Sequence, residues 1–562
     1  MVRKNSNKQQ YFYIAILIIF LILPNLLLIF IGEDSAVGSL LKKSVFFLIS
    51  FSIITIPLTF IKPKYYSYLV LVFFPFIIFE TYHIFHFKNS SSQEIIASVL
   101  QTNFNEAKEL ILSSIYFILF TVLLLIILIF TSKKINNSFT TSRRVKKIIF
   151  FIFIFTFISL EIRNINLALQ LNNKKSEVIK ATNYYLKVQM SKNFPTGFFI
   201  KSYEVYNGFQ KQKKYESNTS NFTFNALKND TLKESEIYVL VIGETARKHN
   251  FHVYGYPKNT SPNLDSIKNL IAYKNVSSNS NVTSLSVPFM LTRATPKNPD
   301  IKFNESTILK AFKEANFHTY WISNQQIGTG SVFDLYSKKA DVYINTSKPL
   351  DVAGYDENIL PDLNKILTDT NKKKFIVIHT IGSHFRYNYR YPANFKVFTP
   401  TLKKGLSIEN TVNYNNKKEI INSYDNSVLY TDFILGQIIE KLKLTNSNSF
   451  MYYISDHGEN LYDNDDKKLL HGFENPTKFE TEIPLFIWTS VKYNKNFNEK
   501  ILNLNKNSKN KIETINTFYT LLDMSNISYP NFDKQKSFAS KKFDSLQKRT
   551  LYSVNKTIIK ID

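Results

Sequence analysis

Apolar residues are not spread evenly along this chain. They crowd into the first 165 residues, in five stretches at roughly 11–31, 45–61, 68–87, 111–130 and 148–160. A helix needs about 20 apolar residues to cross a bilayer. The first four stretches reach or approach that length. The fifth reaches it by borrowing residues 164–167, with Glu161 and Arg163 near the interface. The pattern predicts five spans. The first stretch is too long, and too closely followed by others, for a cleaved signal peptide.

Loop charges orient these spans, because Lys and Arg collect on the cytoplasmic side. Arg3, Lys4 and Lys8 lie at the start, and Lys62 and Lys64 in the second short loop. Lys133, Lys134, Arg143, Arg144, Lys146 and Lys147 lie in the fourth. All three groups fall on one side. The loops around Glu33–Asp34 and across 88–109 then face outward, and so does everything after about residue 165.

Beyond the apolar region the pattern changes. Residues 168–230 are polar and rich in Asn, Lys and Ser, and read as a bridging segment lying on the membrane. From residue 231 short β-rich runs alternate with helical patterns. The strands are expected at 237–242, 375–378 and 450–454, and a long helix at 424–442. Such alternation predicts an α/β sandwich with a largely parallel sheet. The expected organisation is an anchor over 1–167, a bridge over 168–230 and an extracytoplasmic catalytic domain over 231–562.

Composition sharpens this in two ways. The formal charge is +26, from 70 Lys and Arg against 44 Asp and Glu. A basic surface suits nucleic acid, anionic lipid or anionic glycan. Nucleic acid is set aside, because membrane spans precede the basic domain and no nucleic-acid motif is present. Part of the excess also follows from a general richness in Lys, Asn and Ile. Second, there is no cysteine. That excludes disulfides, thiolate metal ligands and a cysteine nucleophile, but does not fix the compartment.

Candidate chemistry gathers just after the strands, where open α/β sheets form their ligand crevice. The first strand leads into Gly243-Glu244-Thr245-Ala246-Arg247, which puts a carboxylate at the strand end. The strand at 450–454 leads into Ser455-Asp456-His457-Gly458-Glu459. Adjacent Asp and His offer an oxygen and an imidazole nitrogen, a pairing that suits zinc, and Gly458 permits a tight turn. The strand at 375–378 leads into His379-Thr380-Ile381-Gly382-Ser383-His384, and His471-Gly472 follows later. Of nine histidines, four fall at these positions. One such histidine would ordinarily be structural; four together point to a site. A hydroxyl nucleophile is expected between the first strand and residue 290. Spacing leaves Ser278, Ser280, Thr283, Ser284 and Ser286 as alternatives.

Taken in order, these motifs resemble those of the phosphoethanolamine transferases of Gram-negative bacteria, within the alkaline phosphatase and sulfatase superfamily. The resemblance covers nearly the whole chain. It rests on Gly243-Glu244-Thr245-Ala246-Arg247, Tyr254-Gly255-Tyr256, and Thr283 with Ser286-Val287-Pro288. It continues through Gly354-Tyr355-Asp356-Glu357, the His379–His384 run, Tyr424-Asp425-Asn426 and Ser455-Asp456-His457-Gly458-Glu459, and closes with His471-Gly472 and Glu482-Ile483-Pro484.

The resemblance implies an α-helical membrane domain of five spans plus an alkaline-phosphatase-like α/β sandwich. It implies that Glu244, Asp456 and His457 hold one tightly bound zinc, and that Thr283 is both nucleophile and fourth contact. His384 and His471 match residues that bind a second zinc or the phosphate group. Thr102 and Glu106 match positions that help bind the lipid donor. The implied reaction takes phosphoethanolamine from phosphatidylethanolamine onto threonine, releases diacylglycerol, and passes the group to an anionic glycolipid such as lipopolysaccharide or lipooligosaccharide. The implied setting is a multi-pass protein of the bacterial inner membrane, expected as a monomer, with its catalytic domain in the periplasm.

Some positions depart from the resemblance. Asn279 and Phe289 stand where disulfide-bearing members place cysteines. Phe385-Arg386 replaces a Gly-Pro, and Trp321-Ile322-Ser323-Asn324-Gln325 differs from the lipid A subgroup. These leave the acceptor open among lipid A phosphate, core sugar, periplasmic glucan and surface protein. The alternatives on the same fold are a phosphoglycerol transferase and a membrane-bound sulfatase or phosphodiesterase. Thr283 lacks the Cys/Ser-x-Pro-x-Arg setting of a sulfatase nucleophile.

Overall fold

The computed structural model describes residues 2–31, 40–87, 90–91, 96, 115–171, 175–325, 331–347, 354–404, 413–463, 468–473, 475–553 and 557–561. The chain divides into two compact units, Met1–Phe209 and Gln210–Asp562.

The first unit is helical. Its helices are α1 (Val2–Ile31), α2 (Leu40–Thr55), α3 (Pro63–Phe87), α4 (Ile115–Lys134), α5 (Arg143–Leu171) and α6 (Lys175–Lys192), with the first part of α7 (Thr196–Thr219). Among the described residues, four helical segments are long and apolar enough to cross a membrane: Asn7–Ile31, Leu40–Thr59, Pro63–Phe85 and Arg143–Gln170. The remaining expected stretch, 111–130, begins outside the described residues and continues as α4. Large side chains such as Phe12, Phe30, Ile126, Phe151 and Phe155 face outward, as a hydrocarbon surround favours. Some polar groups inside are paired across the unit. The Asn25 amide donates to the Phe194 carbonyl at 2.8 Å and accepts from the Phe194 N–H at 2.9 Å. Residues 168–230, expected as a polar bridge, form the end of α5, then α6, α7 and the short strand Leu227–Lys228.

The second unit is built on a seven-stranded sheet. Its strands in chain order are β1 (Glu236–Gly243), β2 (Leu270–Ala272), β3 (His318–Ser323), β4 (Val342–Asn345), β5 (Lys373–His379), β6 (Asn448–Ser455) and β7 (Leu485–Thr489). Their order across the sheet is β2-β7-β6-β1-β5-β3-β4. The five strands from β6 to β4 run parallel, and β7 pairs antiparallel with both β6 and β2. The three strands expected from sequence are thus the middle of the sheet.

Residue type explains this placement. β1 reads Glu-Ile-Tyr-Val-Leu-Val-Ile-Gly, and all eight residues are buried. A nearly continuous apolar run is what a strand covered on both faces requires. Tyr238, Leu240 and Ile242 join one core with Phe450, Tyr452, Ile454, Phe518, Leu521 and Leu522. Val239 and Val241 point the other way and are equally buried. Each fully buried aliphatic side chain contributes roughly 1.5–3 kcal/mol. Glu236, buried at the strand's start, is met by Lys228 at 2.9 Å and Lys373 at 3.4 Å.

Register sets up the site. Ile242 pairs with His379, Ser323 also pairs with His379, and Gly243 pairs with Ser455. The carboxyl ends of four neighbouring strands therefore finish level. Whatever follows each strand arrives at the same edge.

Candidate active site

Glu244 and Asp456 are the first residues past β1 and β6, and both are buried. The link is backbone: the Asp456 N–H donates to the Gly243 carbonyl at 3.0 Å. His457 follows, wholly buried. Its Nε2 lies 3.3 Å from Asp456 Oδ2 and 3.7 Å from Glu244 Oε1. Its Nδ1 lies 2.9 Å from the Gly458 carbonyl, which can only accept. The proton therefore belongs on Nδ1, and Nε2 presents a lone pair to the two carboxylates.

The fourth group comes from helix α8 (Thr283–Leu291). Val282 is extended and the helix begins at Thr283 itself. This start aims Thr283 Oγ1 at the cluster, 3.3 and 3.4 Å from the two Glu244 oxygens and 3.1 Å from His457 Nε2. It also puts the residue at the positive end of a helix dipole, which suits an anionic group. The other hydroxyls left open by spacing go elsewhere. Ser278 and Ser286 donate to the Asp456 carbonyl at 2.5 and 2.6 Å, Ser280 donates to the Tyr552 carbonyl at 2.9 Å, and Ser284 is exposed.

The electrostatics identify what this cluster suits. Burial, and then the neighbouring Asp456, push the Glu244 carboxyl well above its usual range. Asp456 Oδ2 is buried with no hydrogen-bond partner. Two buried carboxylates side by side are costly unless a cation compensates them. Glu244, Asp456 and His457 bring one ligand atom each to within 4.8 Å of one another. Two carboxylates, a neutral imidazole and a hydroxyl form a donor set that fits zinc.

The second pair expected from sequence lies on the same side. The His471 ring packs on His457 with centroids 3.9 Å apart, and its Nδ1 is 3.2 Å from Glu459 Oε2. Burial lowers the affinity of both His457 and His471 for a proton. His384 is pushed down to about 3, first by burial and then by the charge of the Arg390 guanidinium. All three imidazoles are neutral near pH 7. His379 stays out of the cluster. Its ring is buried beside Phe333 and Trp321, with neither nitrogen hydrogen-bonded. Thr102 and Glu106 lie outside the described residues.

Several supporting residues had motif positions but no assigned role. Gln325 Nε2 donates to Glu244 Oε2 at 3.0 Å and to the Thr380 carbonyl at 2.8 Å. Asp356 accepts from the Ile381 and Gly382 N–H groups at 2.8 and 2.9 Å and from Asn324 Nδ2 at 2.8 Å, which fixes the turn leading to His384. That turn packs so closely that a Cβ on Gly382 would sit 2.7 Å from the Glu244 carbonyl. At Gly458 the φ is not among the positive ones, and close packing demands glycine: a Cβ there would meet the Phe479 carbonyl at 2.1 Å. Asn279 is anchored without a disulfide. Its Nδ2 donates to Glu513 Oε1 and the Thr550 carbonyl, both at 2.7 Å.

A family model described as Sulfatase matches residues 236–527. Phosphoethanolamine transferase EptC of Escherichia coli (strain K12) is 31% identical over 332 residues, 56% of this chain and 55% of that protein. Phosphoethanolamine transferase EptA of the same strain is 28% identical over 304 residues, 52% of this chain and 54% of that protein. The chain thus spans about half the length of these curated relatives. The C-terminal periplasmic domain of EcEptC from Escherichia coli, solved in complex with Zn, is 30% identical with a TM-score of 0.53, over 60% of this chain and 95% of that one. The integral membrane protein lipooligosaccharide phosphoethanolamine transferase A from Neisseria meningitidis matches 94% of this chain and 97% of its own. That match has a TM-score of 0.51 at 20% identity, a likeness of fold that includes the N-terminal helices.

Proposed function

Because this chain belongs to the sulfatase family, among its phosphoethanolamine transferases, we propose that it takes phosphoethanolamine from phosphatidylethanolamine onto Thr283 and passes it to a lipopolysaccharide or lipooligosaccharide acceptor. The observation that carries this reading is the position of Thr283 Oγ1 within 3.1–3.4 Å of Glu244 and His457 at the sheet edge.

In this reading Glu244, Asp456, His457 and Thr283 hold a zinc ion. Zinc bound there supplies a lowered pKa for the Thr283 hydroxyl and offsets charge on the transferring phosphoryl group. Thr283 Oγ1 forms a bond to the donor phosphorus, and the phosphorus–oxygen bond to diacylglycerol breaks. The Glu244 carboxylate stands where it can take the threonine proton. The departing diacylglycerol oxygen gains one, so this half-reaction needs no outside acid. An acceptor oxygen then attacks the same phosphorus and frees Thr283. His384 and His471, neutral in their buried setting, bind the phosphoryl group or a second zinc.

The membrane helices support a lipid donor, since they tie the catalytic unit to the kind of membrane that holds such a lipid. Thr102 and Glu106 are assigned to donor binding by resemblance. The proposed setting is the bacterial inner membrane with five spans, a periplasmic catalytic unit and a monomeric chain. Mass spectrometry of the envelope glycolipid tests the transferred group and the acceptor together. Phosphoethanolamine should decorate lipid A or core only in cells carrying the protein. An identical glycolipid with and without it would overturn the acceptor assignment.

A further inference from the structure

We propose that Thr245 orients both carboxylates of the zinc site at once, and that its hydroxyl sets the affinity of that site for zinc. This rests on the reading of Glu244, Asp456, His457 and Thr283 as a zinc site.

Thr245 is wholly buried and holds a left-handed backbone, with φ of 60°. Ten described non-glycine residues have positive φ, and six of them are Asn, whose short polar side chain tolerates that region. Thr245 is the β-branched one among them. Branching at Cβ crowds the neighbouring carbonyl there, so the position would suit glycine far better.

Threonine at that position makes two contacts at the cluster. Its N–H donates to Asp456 Oδ1 at 2.9 Å. Its Oγ1 donates to Glu244 Oε1 at 2.7 Å. One residue thus touches both carboxylates, beside the His457 N–H on Asp456 Oδ1 at 2.7 Å and Gln325 Nε2 on Glu244 Oε2 at 3.0 Å, and Asp456 Oδ2 is left without a hydrogen bond, 3.3 Å from His457 Nε2. A glycine would keep the first contact and lose the second.

The surroundings hold the turn in place. Tyr424 donates its hydroxyl proton to the Thr245 carbonyl and accepts from the Arg247 N–H, both at 2.8 Å. The Ala246 N–H donates to Ser455 Oγ at 2.9 Å, and the Ser383 N–H donates to the Glu244 carbonyl at 3.0 Å. Strained backbone persists where its surroundings over-determine it, and such positions cluster at functional sites. Groups that orient metal ligands typically change metal affinity by about 10–100-fold when removed.

The test uses the purified full-length chain and three substitutions, Thr245→Ser, Thr245→Gly and Thr245→Val. Zinc affinity is read by competition with a chromophoric chelator, and thermal unfolding is followed without metal. Thr245→Ser keeps the hydroxyl and should bind zinc about as tightly as the parent. Thr245→Gly and Thr245→Val should bind it about 10–100-fold more weakly. Metal-free Thr245→Gly should unfold no earlier than the parent, since it relieves the backbone. If Thr245→Val does not fold, the comparison of Ser with Gly decides. Parent-like zinc affinity in the Gly variant, or a Ser variant as weak as Gly, overturns the role of the hydroxyl. A parent chain that binds no zinc overturns the zinc site itself, and this inference with it.

Discussion

Thr283 Oγ1 lies 3.1 Å from His457 Nε2, although 174 residues separate them in the chain. Two independent features produce this contact: a helix that begins at Thr283, and a parallel strand that ends just before Asp456 and His457. Neither contains a reactive group alone. Together they put a hydroxyl among two buried carboxylates and a neutral imidazole.

Removing the charge on Asp456 should empty the site. Asp456→Asn keeps the shape but replaces an anionic oxygen that has no other partner. Metal analysis of the purified chain should find at least one zinc in the parent and a small fraction of that in the variant. Full zinc content in Asp456→Asn would show that the ligands lie elsewhere.

Asp356 should matter through the turn it holds. Asp356→Ala leaves the Ile381 and Gly382 N–H groups and Asn324 without their acceptor. Each buried donor left unmet costs about 1–3 kcal/mol. A loss of about 2–4 kcal/mol in denaturant unfolding is expected, together with slower transfer, since His384 follows this turn. Unchanged stability would mean that the turn holds itself.

Acid should destabilise the catalytic unit through its buried histidines. Burial lowers His379 from 6.5 to about 4. The folded pKa lies below the unfolded one, so between these values the unfolded chain binds the proton that the folded chain refuses. Stability therefore falls as pH drops from about 6.5 toward about 4, by about 3 kcal/mol for this group. His379→Phe, beside Phe333 and Trp321, should flatten that part of the stability–pH curve. An acid limb of the same steepness in the variant would assign the effect to other groups.

Topology is open to a direct check. With five spans and a cytoplasmic start, a C-terminal reporter that works only after export should be active. Activity from a reporter that works only in the cytoplasm would mean an even number of spans.

Much of this architecture was legible in the sequence, for physical reasons that differ between its parts. The runs at 237–242, 375–378 and 450–454 are apolar on both faces, and only a strand covered on both sides needs that, so β1, β5 and β6 stood out. The residues after them could be placed at one edge because parallel strands finish level. Which hydroxyl faces the cluster was not legible from spacing, because five hydroxyls lie within nine residues of one another. The start of α8 separates them, and it depends on tertiary packing: no side chain caps that helix. The roles of Thr245, Gln325 and Asp356 were hidden too. Each acts through a partner distant in sequence, such as Asp456 for Thr245, 211 residues away.

The proposed covalent step at Thr283 can be caught in the absence of acceptor. Purified protein is incubated with phosphatidylethanolamine vesicles and no acceptor, then digested for peptide mass spectrometry while diacylglycerol is quantified. A threonine hydroxyl is protonated near pH 7 and inert unless its setting activates it. A phosphoethanolamine adduct is expected on Thr283, with matching release of diacylglycerol. Thr283→Ala should show neither while keeping its fold and most of its zinc. An adduct on Ser280, Ser284 or Ser286, or normal turnover by Thr283→Ala, would contradict it.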